Sequence, residues 1–242
     1  MHLRLTDSTN DRARELAIAG APHGTLVSAA EQSAGRGRGG RRWSAPAGSS
    51  ILMSLVLREP PALLPLIAAV AVCAVAGERA MIKWPNDVVV FERPVEGAPD
   101  GAAPVLGKLA GILTEARQQE GWAVLGIGLN VAVRLQELPA ELQAGAAGPG
   151  ARVAATLGLP ASELEPVLAR LLAALELGLA APQEQTLEQW RARDALSGRE
   201  ISWNGGHGRA RGIDGLGRLV VALPDGGQQA LSAGEVHLEQ IV

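Results

Sequence analysis

The sequence contains few aromatic side chains, one cysteine and two lysines. Among its 242 residues there is no tyrosine and a single phenylalanine, while 20 of the 22 basic side chains are arginine. One cysteine excludes a disulfide framework within the chain, and Cys73 lies in an alanine and valine run that is typical of a buried segment. The four histidines are scattered and lack the spacing of a structural zinc site. The chain is therefore predicted to fold without disulfides or structural zinc.

The charge balance and the apolar segments limit the class of protein. The net charge is −3, 47% of the residues are hydrophobic and 19% are charged, as in a globular protein with a sizeable core. A general nucleic-acid-binding surface would make the chain basic, so no nucleic-acid partner is expected. The longest apolar stretch, residues 62–76, contains Pro65 and is too short for a membrane span, so it predicts a core helix. The chain begins MHLRL without a signal-peptide pattern, and we expect a cytoplasmic protein.

Residues 35–43 read GRGRGGRRW, and we call this segment the arginine loop. Its four glycines disfavour both helix and strand, and they let backbone N–H groups approach an anion. Its four arginines can bind a carboxylate or a phosphate through two parallel hydrogen bonds each. Runs rich in arginine and glycine are also typical of RNA-binding tracts. The loop lies between two strand-like runs, however, which favours a mobile anion-binding loop within a folded site.

Both lysines fall in short motifs beside predicted strands. In MIKWPNDVVVF, Pro85 and the Asn-Asp pair interrupt two strand-like runs, which predicts a strand-turn-strand with Lys83 and Asp87 at the corner. A plain hairpin with surface charges is the alternative interpretation. In VLGKLAGIL, Lys108 is placed just before a strand, and Gly111 leaves room for a ligand beside the backbone. Because arginine supplies nearly all other positive charges, the two lysines indicate positions that need a compact ammonium.

Two further motifs predict a polar pocket and a slot. DSTN at residues 7–10 precedes a helical pattern, so its hydroxyls either cap the helix or bind a small polar group such as a urea. In GIGLN, Gly126 and Gly128 are two residues apart and share one face of a predicted strand, which opens a slot. Asn130 continues that face and supplies a polar group at the end of the slot.

Taken in order, these motifs resemble those of the biotin protein ligases, also called biotin–[acetyl-CoA-carboxylase] ligases. The resemblance rests on DSTN, EQSAGRGRGGRRW, KWPND, GKLAGIL and GIGLN, and it extends over nearly the whole chain. It implies an α+β fold with a mixed, largely antiparallel sheet and flanking helices, followed by a small C-terminal β-barrel domain. The tail is consistent with this, because short strand-like runs alternate with glycine turns after helical stretches between residues 151 and 196. We therefore expect a catalytic domain at 1–195 and the β-barrel domain at 196–242.

The resemblance also implies a two-step reaction. Biotin and ATP form biotinyl-5′-adenylate, and a lysine of a biotin carboxyl carrier protein then attacks the mixed anhydride. By resemblance, the catalytic residues are Lys108, Arg38 and Asp87, and Asp87 is a candidate ligand for the Mg²⁺ that accompanies ATP. The residues implied to bind biotin are Ser8, Thr9, Gln32, Gly35, Arg36, Lys108, Gly111, Gly126 and Gly128. Those implied to bind ATP or the adenylate are Arg36, Arg38, Arg41, Trp43, Lys83 and Asn130.

Expectations about size, assembly and one loop follow from the same comparison. The family includes bifunctional repressors with a DNA-binding domain before the ligase, but DSTN begins here at residue 7, so we expect ligation without repression. The protein is expected to be a monomer or a homodimer. Residues 93–104 are rich in Gly, Pro and Ala and are expected to form an exposed, mobile loop.

Two other functions remain open from the sequence. A lipoate ligase or octanoyltransferase would share the catalytic fold and hold an acyl chain against a lysine, although the long arginine loop and KWPND favour biotin. A non-enzymatic RNA-binding module would be built around the arginine loop, but it predicts exposed aromatic side chains that this composition does not supply. Replacing Arg36 and Arg38 together by alanine separates the classes, because a ligase should release its adenylate and an RNA binder should lose RNA.

Overall fold

In the computed structural model, the described residues (1–92, 105–138, 142 and 153–238) form two β-sheets and four α-helices. The expected loop at 93–104 lies outside these residues. The helices are α1 (Thr9–Ile18), α2 (Leu64–Ala76), α3 (Leu164–Ala180) and α4 (Gln183–Arg191). None of the helices in this part of the chain is long and apolar enough to cross a membrane.

The first sheet contains eight strands in the order β1-β2-β3-β7-β6-β5-β4, with β8 beside β6. The strands are β1 (His2–Leu3), β2 (Thr25–Ala29), β3 (Ser50–Arg58), β4 (Met81–Lys83), β5 (Asp87–Glu92), β6 (Val105–Arg117), β7 (Trp122–Asn130) and β8 (Val153–Ala154). The pairs β1–β2 and β6–β8 are parallel, and the other pairs are antiparallel. This confirms the expected mixed, largely antiparallel sheet, and the strand-turn-strand at KWPND is present as β4 and β5.

One face of the first sheet carries the main core. Helix α2 is apolar on nearly all sides and packs against α3 and against this face, so most of its side chains are buried. Helix α3 contributes a single stripe, in which Val167, Leu171 and Leu175 recur every four residues. The core helix expected from residues 62–76 is therefore present and begins at Leu64.

The other face, which we call the site face, is only partly covered. Ala13 and Ala17 of α1 pack there on a small apolar cluster that includes Val27, Val56 and Val124. Farther along β7, the same face continues through residues 126, 128 and 130, because alternate residues of a strand point to one side. Helix α1 thus leaves this end of the face open to the arginine loop and to ligands.

The second sheet consists of five antiparallel strands in the order β12-β11-β10-β9-β13. The strands are β9 (Glu200–Trp203), β10 (Gly206–Ile213), β11 (Leu219–Ala222), β12 (Gln228–Leu231) and β13 (Val236–Leu238). Among the described strands the two edges, β12 and β13, are not paired with each other, so the sheet is not closed into the expected barrel. Its apolar side chains join the main core of the first sheet and its helices, and the sheet therefore buries them without curling onto itself.

Residues 193–195 join the two sheets at the outer edge of β4. The Ile82 N–H donates to the Arg193 carbonyl at 2.6 Å, and the Ala195 N–H donates to the Ile82 carbonyl at 2.9 Å. Between them lies Asp194, which is 8% exposed. Its Oδ1 accepts the Leu196 N–H at 2.8 Å, whereas its Oδ2 is buried with no hydrogen-bond partner among the described residues. Burial raises the pKa of the Asp194 carboxyl to about 6.

This carboxyl predicts a pH dependence of stability. The pKa in the folded state exceeds the ordinary value of 3.8, so the folded protein holds the proton more tightly than the unfolded chain does. Its contribution to stability is therefore complete below about pH 4 and is lost as the pH rises to about 6. We expect the Asp194→Asn variant to gain stability relative to the parent protein between pH 4 and pH 7, by up to about 3 kcal/mol. Urea denaturation of the parent and the variant at pH 4 and at pH 7 measures this gain. An equal effect of the substitution on the free energy of unfolding at the two pH values would contradict the prediction.

Candidate active site

A line of residues crosses the site face from strand to strand, and we call it the active-site row. The pairing register places its members directly opposite one another, in the order Leu52, Gly128, Gly111, Asp87 and Lys83. Directly opposed residues on neighbouring strands lie on the same face. The row therefore has a floor of two glycines and, at one end, a carboxylate and an ammonium.

Lys108 reaches the active-site row through a β-bulge. It lies within β6, and not just before a strand as predicted from the sequence. It lies three positions before Gly111, an odd number, so strict alternation would place its side chain on the opposite face. The register shifts beside Val89, which pairs with Lys108 while Val88 pairs with Ala110. This extra residue turns the Lys108 side chain to the site face, as bulges near functional sites commonly do.

The Lys108 ammonium forms an ion pair with Asp87, and Lys83 lies close to both. The distance from Lys108 Nζ to Asp87 Oδ1 is 2.8 Å. The Lys83 ammonium makes no hydrogen bond or ion pair with any described residue, and burial lowers its pKa while Asp87 and Glu235 act in the opposite direction. Two ammonium groups and one carboxylate give this end of the row a net positive charge, which suits an anionic ligand.

The indole of Trp43 lies on the glycine floor. A Cβ on Gly128 would stand 2.5 Å from Trp43 Cε2, and a Cβ on Gly111 would stand 2.9 Å from Trp43 Cζ3. The Lys108 ammonium is 5.6 Å from the centre of the ring. Trp43 Nε1 is buried without a hydrogen-bond partner in the described part of the chain. The two glycines are thus required by the close approach of the indole, and Trp43 forms one wall of the space between the row and the arginine loop.

The arginine loop closes on itself as a narrow hairpin. The Trp43 N–H donates to the Gly35 carbonyl at 2.9 Å, and the Gly37 N–H donates to the Arg41 carbonyl at 2.8 Å. Its tip is a single 3-10 turn at Arg38–Gly40, where two glycines have φ of 62° and 75°. Residues other than glycine rarely adopt these angles, which explains the glycine pair at the tip.

The loop tip contacts two other parts of the molecule. The Arg38 guanidinium donates to Asn86 Oδ1 at 3.2 Å, and Asn86 Nδ2 in turn donates to the Ile112 carbonyl at 2.8 Å. Arg41 forms an ion pair with Glu235, which lies just before β13 in the second sheet. The arginine loop is therefore held to the KWPND turn on one side and to the second sheet on the other.

The base of the loop is held by Arg36. Its guanidinium forms ion pairs with Asp11 of α1 at 2.8 Å and with Glu115 of β6 at 2.9 Å. The Arg36 side chain therefore contacts protein carboxylates here, although it is implied by the sequence to contact the ligand. Its backbone remains next to Gly35.

The DSTN motif and Gln32 form a polar pocket at the start of α1. Gln32 Oε1 accepts hydrogen bonds from the Thr9 N–H at 2.7 Å and from the Thr9 hydroxyl at 3.1 Å. Ser8 is the N-cap residue of α1, yet its side chain makes no capping hydrogen bond. Within the described residues, the Ser8 hydroxyl and Gln32 Nε2 have no hydrogen-bond partner. These two groups can therefore accept from and donate to a ureido ring, as the urea-binding interpretation expects.

Gly126 was expected to form one wall of a ligand slot, and in the structure it lies beneath Asn10. A Cβ on Gly126 would stand 2.0 Å from Asn10 Oδ1. Asn10 Oδ1 accepts from the Ser54 hydroxyl at 2.6 Å, and Asn10 Nδ2 donates to Glu115 Oε2 at 2.8 Å. Gly126 therefore makes room for a protein side chain in this structure, whereas Gly128 and Gly111 make room for the indole.

Asn130 lies at the end of β7 and uses its carboxamide within the protein. Its Oδ1 accepts from the Ser50 hydroxyl at 3.1 Å, and its Nδ2 donates to the Ala155 carbonyl at 2.9 Å. It is 6% exposed. Asn130 thus fixes the backbone after β8 close to the site, and a contact with a nucleotide stays a prediction.

The fit of the site to a resident magnesium ion is poor. The described residues contain no group of three His, Cys, Asp or Glu side chains that could hold a metal ion. Asp87 is the single carboxylate of the active-site row, and it is engaged by the Lys108 ammonium. Mg²⁺ is commonly held by one or two carboxylates together with substrate phosphates, so a role of Asp87 as a ligand stays a prediction that depends on bound ATP.

The residues that contact the site but have no role predicted from the sequence include Asn10, Asn86, Glu115 and Glu235. The first two were recognisable, because they are two of only four asparagines and both fall in motifs. Glu115 is a charged residue in an otherwise strand-like run, which is a weaker signal. Glu235 carries no sequence signal, because its contact depends on where the second sheet is placed.

Comparison with known proteins gives the following similarities. Residues 2–131 match the Biotin/lipoate A/B protein ligase family, and residues 196–238 match the Biotin protein ligase C terminal domain. The biotin–[acetyl-CoA-carboxylase] ligase of Paracoccus denitrificans is 35% identical over 97% of this chain and 98% of its own length. The bifunctional ligase/repressor BirA of Bacillus spizizenii is 40% identical over 148 residues, which are 56% of this chain and 41% of that protein. The match thus spans less than half the length of the Bacillus relative.

A solved structure shares the fold. The biotin protein ligase from Aquifex aeolicus in complex with biotin and ATP has a TM-score of 0.73 to this chain. The comparison covers 100% of this chain and 98% of that chain, at 24% sequence identity. The α+β architecture with a smaller second sheet is therefore that of a biotin protein ligase.

Proposed function

This chain belongs to the Biotin/lipoate A/B protein ligase family, and we propose that it is an ATP-dependent biotin protein ligase. The observation that carries the proposal is the arrangement of the site face. A polar pocket with free hydrogen-bonding groups at Ser8 and Gln32, a glycine floor and the Lys108 ammonium lie along one side of the sheet, under a single loop. This order matches a molecule with a ureido ring at one end and a carboxylate at the other.

The first proposed step joins biotin to AMP. A biotin carboxylate oxygen attacks the α-phosphorus of ATP, the bond from that phosphorus to the bridging oxygen breaks, and pyrophosphate leaves. Both reactants are anions, so the main task is to bring them together and neutralise their repulsion. Lys108 and Lys83 supply ammonium groups at this point of the row, and the arginine loop, through Arg38 and Arg41, covers the phosphate side. A closed loop also keeps water from the anhydride.

The second proposed step transfers biotin to a carrier. The neutral amine of a lysine on a biotin carboxyl carrier protein attacks the acyl carbon, an amide bond forms as the nitrogen loses one proton to solvent, and AMP leaves with the bonding electrons of the broken C–O bond. Asp87 is held by the Lys108 ammonium at 2.8 Å, and this supports a role in orienting the incoming amine. Adenylation must come first, because a free carboxylate is a poor electrophile.

The polar pocket favours biotin over lipoate or octanoate. A ureido ring offers one carbonyl acceptor and two N–H donors, and the Ser8 hydroxyl and Gln32 Nε2 can bond to such groups. The dithiolane of lipoate and the methyl end of octanoate would offer these groups no partner and would displace the water that can reach them, which is unfavourable. The same proposal includes a boundary between domains at residues 195 and 196, a cytoplasmic location, and action as a monomer or a homodimer.

A direct test uses ATP labelled at the α-phosphate. Purified protein with biotin and Mg²⁺ should form biotinyl-5′-adenylate, and the adenylate should disappear when a biotin carboxyl carrier domain is added and becomes biotinylated. The same assay with lipoate and octanoate is the control for the acid. Adenylate formed with either of these acids and not with biotin would show that biotin is not the substrate. The absence of adenylate with all three acids would overturn the proposed ligase function.

A further inference from the structure

A chain of polar side chains beside the polar pocket connects three separate segments through Glu115. Glu115 Oε1 pairs with the Arg36 guanidinium at 2.9 Å, and Glu115 Oε2 accepts from Asn10 Nδ2 at 2.8 Å. Arg36 belongs to the arginine loop, Asn10 to the first turn of α1, and Glu115 to β6. None of these contacts lies within one element, so each one fixes the position of one segment relative to another.

The location of Glu115 is unusual for a carboxylate. It pairs with Val124 across β6 and β7, and Val124 belongs to the small apolar cluster under α1. Its side chain is 25% exposed. A partly buried carboxylate next to apolar side chains loses hydration, and it is stable only when both oxygens have partners. The Arg36 guanidinium contacts both oxygens, Oε1 at 2.9 Å and Oε2 at 3.1 Å, and Asn10 donates a further hydrogen bond to Oε2.

The same contacts determine how Asn10 is oriented. Because Nδ2 donates to Glu115, Oδ1 turns to the Ser54 hydroxyl and lies over Gly126. The neighbouring residue Thr9 is bonded to Gln32 and lies 2.8 Å from the same Ser54 hydroxyl. Glu115 therefore also sets the position of the turn that carries the polar pocket.

We propose that Glu115 is a positioning residue for biotin, acting through the Arg36 anchor and through Asn10. Arg36 then contributes its backbone to the polar pocket, next to Gly35, while its side chain holds the base of the arginine loop in place. This inference deepens the proposed ligase function and rests on it. It assigns Glu115 to the binding of biotin and not to the charge that develops during adenylation, since the ammonium groups of Lys108 and Lys83 lie at the active-site row.

The test compares the Glu115→Gln variant with the parent protein in the adenylation assay. Glutamine keeps the shape of the side chain but removes the charge that holds Arg36. We expect the KM for biotin to rise about tenfold, as for the loss of an interaction worth about 1.4 kcal/mol. The kcat of adenylation and the KM for ATP should change by less than about threefold, because the reacting groups are untouched. Asp11→Asn, which removes the other anchor of Arg36, should raise the KM for biotin by a smaller factor.

A matched control removes an ion pair elsewhere. Glu200 pairs with Arg209 at 2.7 Å in the second sheet, so Glu200→Gln should leave all kinetic constants unchanged. A double-mutant cycle adds an independent readout, because Glu115→Gln and Arg36→Met should be strongly non-additive in kcat/KM for biotin.

Three results would overturn the inference. An unchanged KM for biotin with a lower melting temperature would make Glu115 structural only. A lower KM would mean that Arg36 must leave Glu115 to reach the ligand. An equal loss of kcat and kcat/KM would place Glu115 in the chemical step. If Glu115→Gln does not fold, the Asp11→Asn variant decides by the same criteria. In each of these cases the parent protein still makes adenylate, whereas failure of the parent to make adenylate with biotin would overturn the proposed function as well.

Discussion

Replacement of Lys108 by methionine should lower the rate of adenylate formation by roughly 100- to 1,000-fold, the loss typical of removing a positioned group that stabilises transition-state charge. Its ammonium is turned to the site face by the bulge in β6 and lies beside the glycine floor, 2.8 Å from Asp87. Methionine keeps much of the length of the lysine stem and removes the charge. Pre-steady-state release of pyrophosphate with biotin and ATP measures the step, and equilibrium binding of biotin should change far less than the rate.

The loss of Lys108 also leaves Asp87 without its ion-pair partner. A second variant therefore distinguishes the loss of the ammonium from the effect of an unpaired carboxylate on stability. Lys108→Met combined with Asp87→Asn removes both charges and leaves no unpaired carboxylate. If this double variant folds as stably as the parent and is still inactive in adenylation, the ammonium is required for the reaction. Recovery of the parent rate in the double variant would show that Lys108 serves only to neutralise Asp87.

Replacement of Gly128 by alanine should raise the KM for biotin by about 10- to 100-fold, because a displacement of about 1 Å in a site can cost that much. The new Cβ would stand 2.5 Å from Trp43 Cε2, so the indole must leave the glycine floor. The shift should also cost about 1–3 kcal/mol in the free energy of unfolding, as overpacking does. Biotin titrations in the adenylation assay and urea denaturation measure the two effects.

Gly215→Ala is the matched control for that substitution. A Cβ at Gly215 meets no atom within 4 Å, and its φ is not positive, so neither kinetics nor stability should change beyond about 0.5 kcal/mol. The effects of Gly111→Ala on the KM for biotin and on stability should lie between those of Gly128→Ala and Gly215→Ala, because its Cβ would stand 2.9 Å from the indole. Equal effects of all three substitutions would contradict the role of the glycine floor.

The sequence by itself determined the class of fold and predicted many of the candidate site residues. Alternation and apolar runs predicted the strands on either side of KWPND and the buried helix now seen as α2, because these patterns depend on neighbours one to four residues away. Lysine and asparagine are rare in this chain, and their presence in KWPND, GKLAGIL and GIGLN indicated that these motifs belong to a site. The glycines at 111 and 128 were recognised as places of close approach, although the sequence did not indicate that an indole of the same chain would lie on them.

The tertiary structure decided which of these residues meet. Lys108 faces the active-site row only because an extra residue in β6 shifts the register, and a one-residue shift is invisible to a periodic pattern. Arg36 and Arg41 were both expected to bind the adenylate, yet in the structure Arg36 pairs with Asp11 and Glu115 while Arg41 pairs with Glu235. The second sheet stays open because its apolar side chains are buried against the first sheet and its helices. Each of these outcomes depends on contacts between residues far apart in the chain, which local periodicity and composition do not encode.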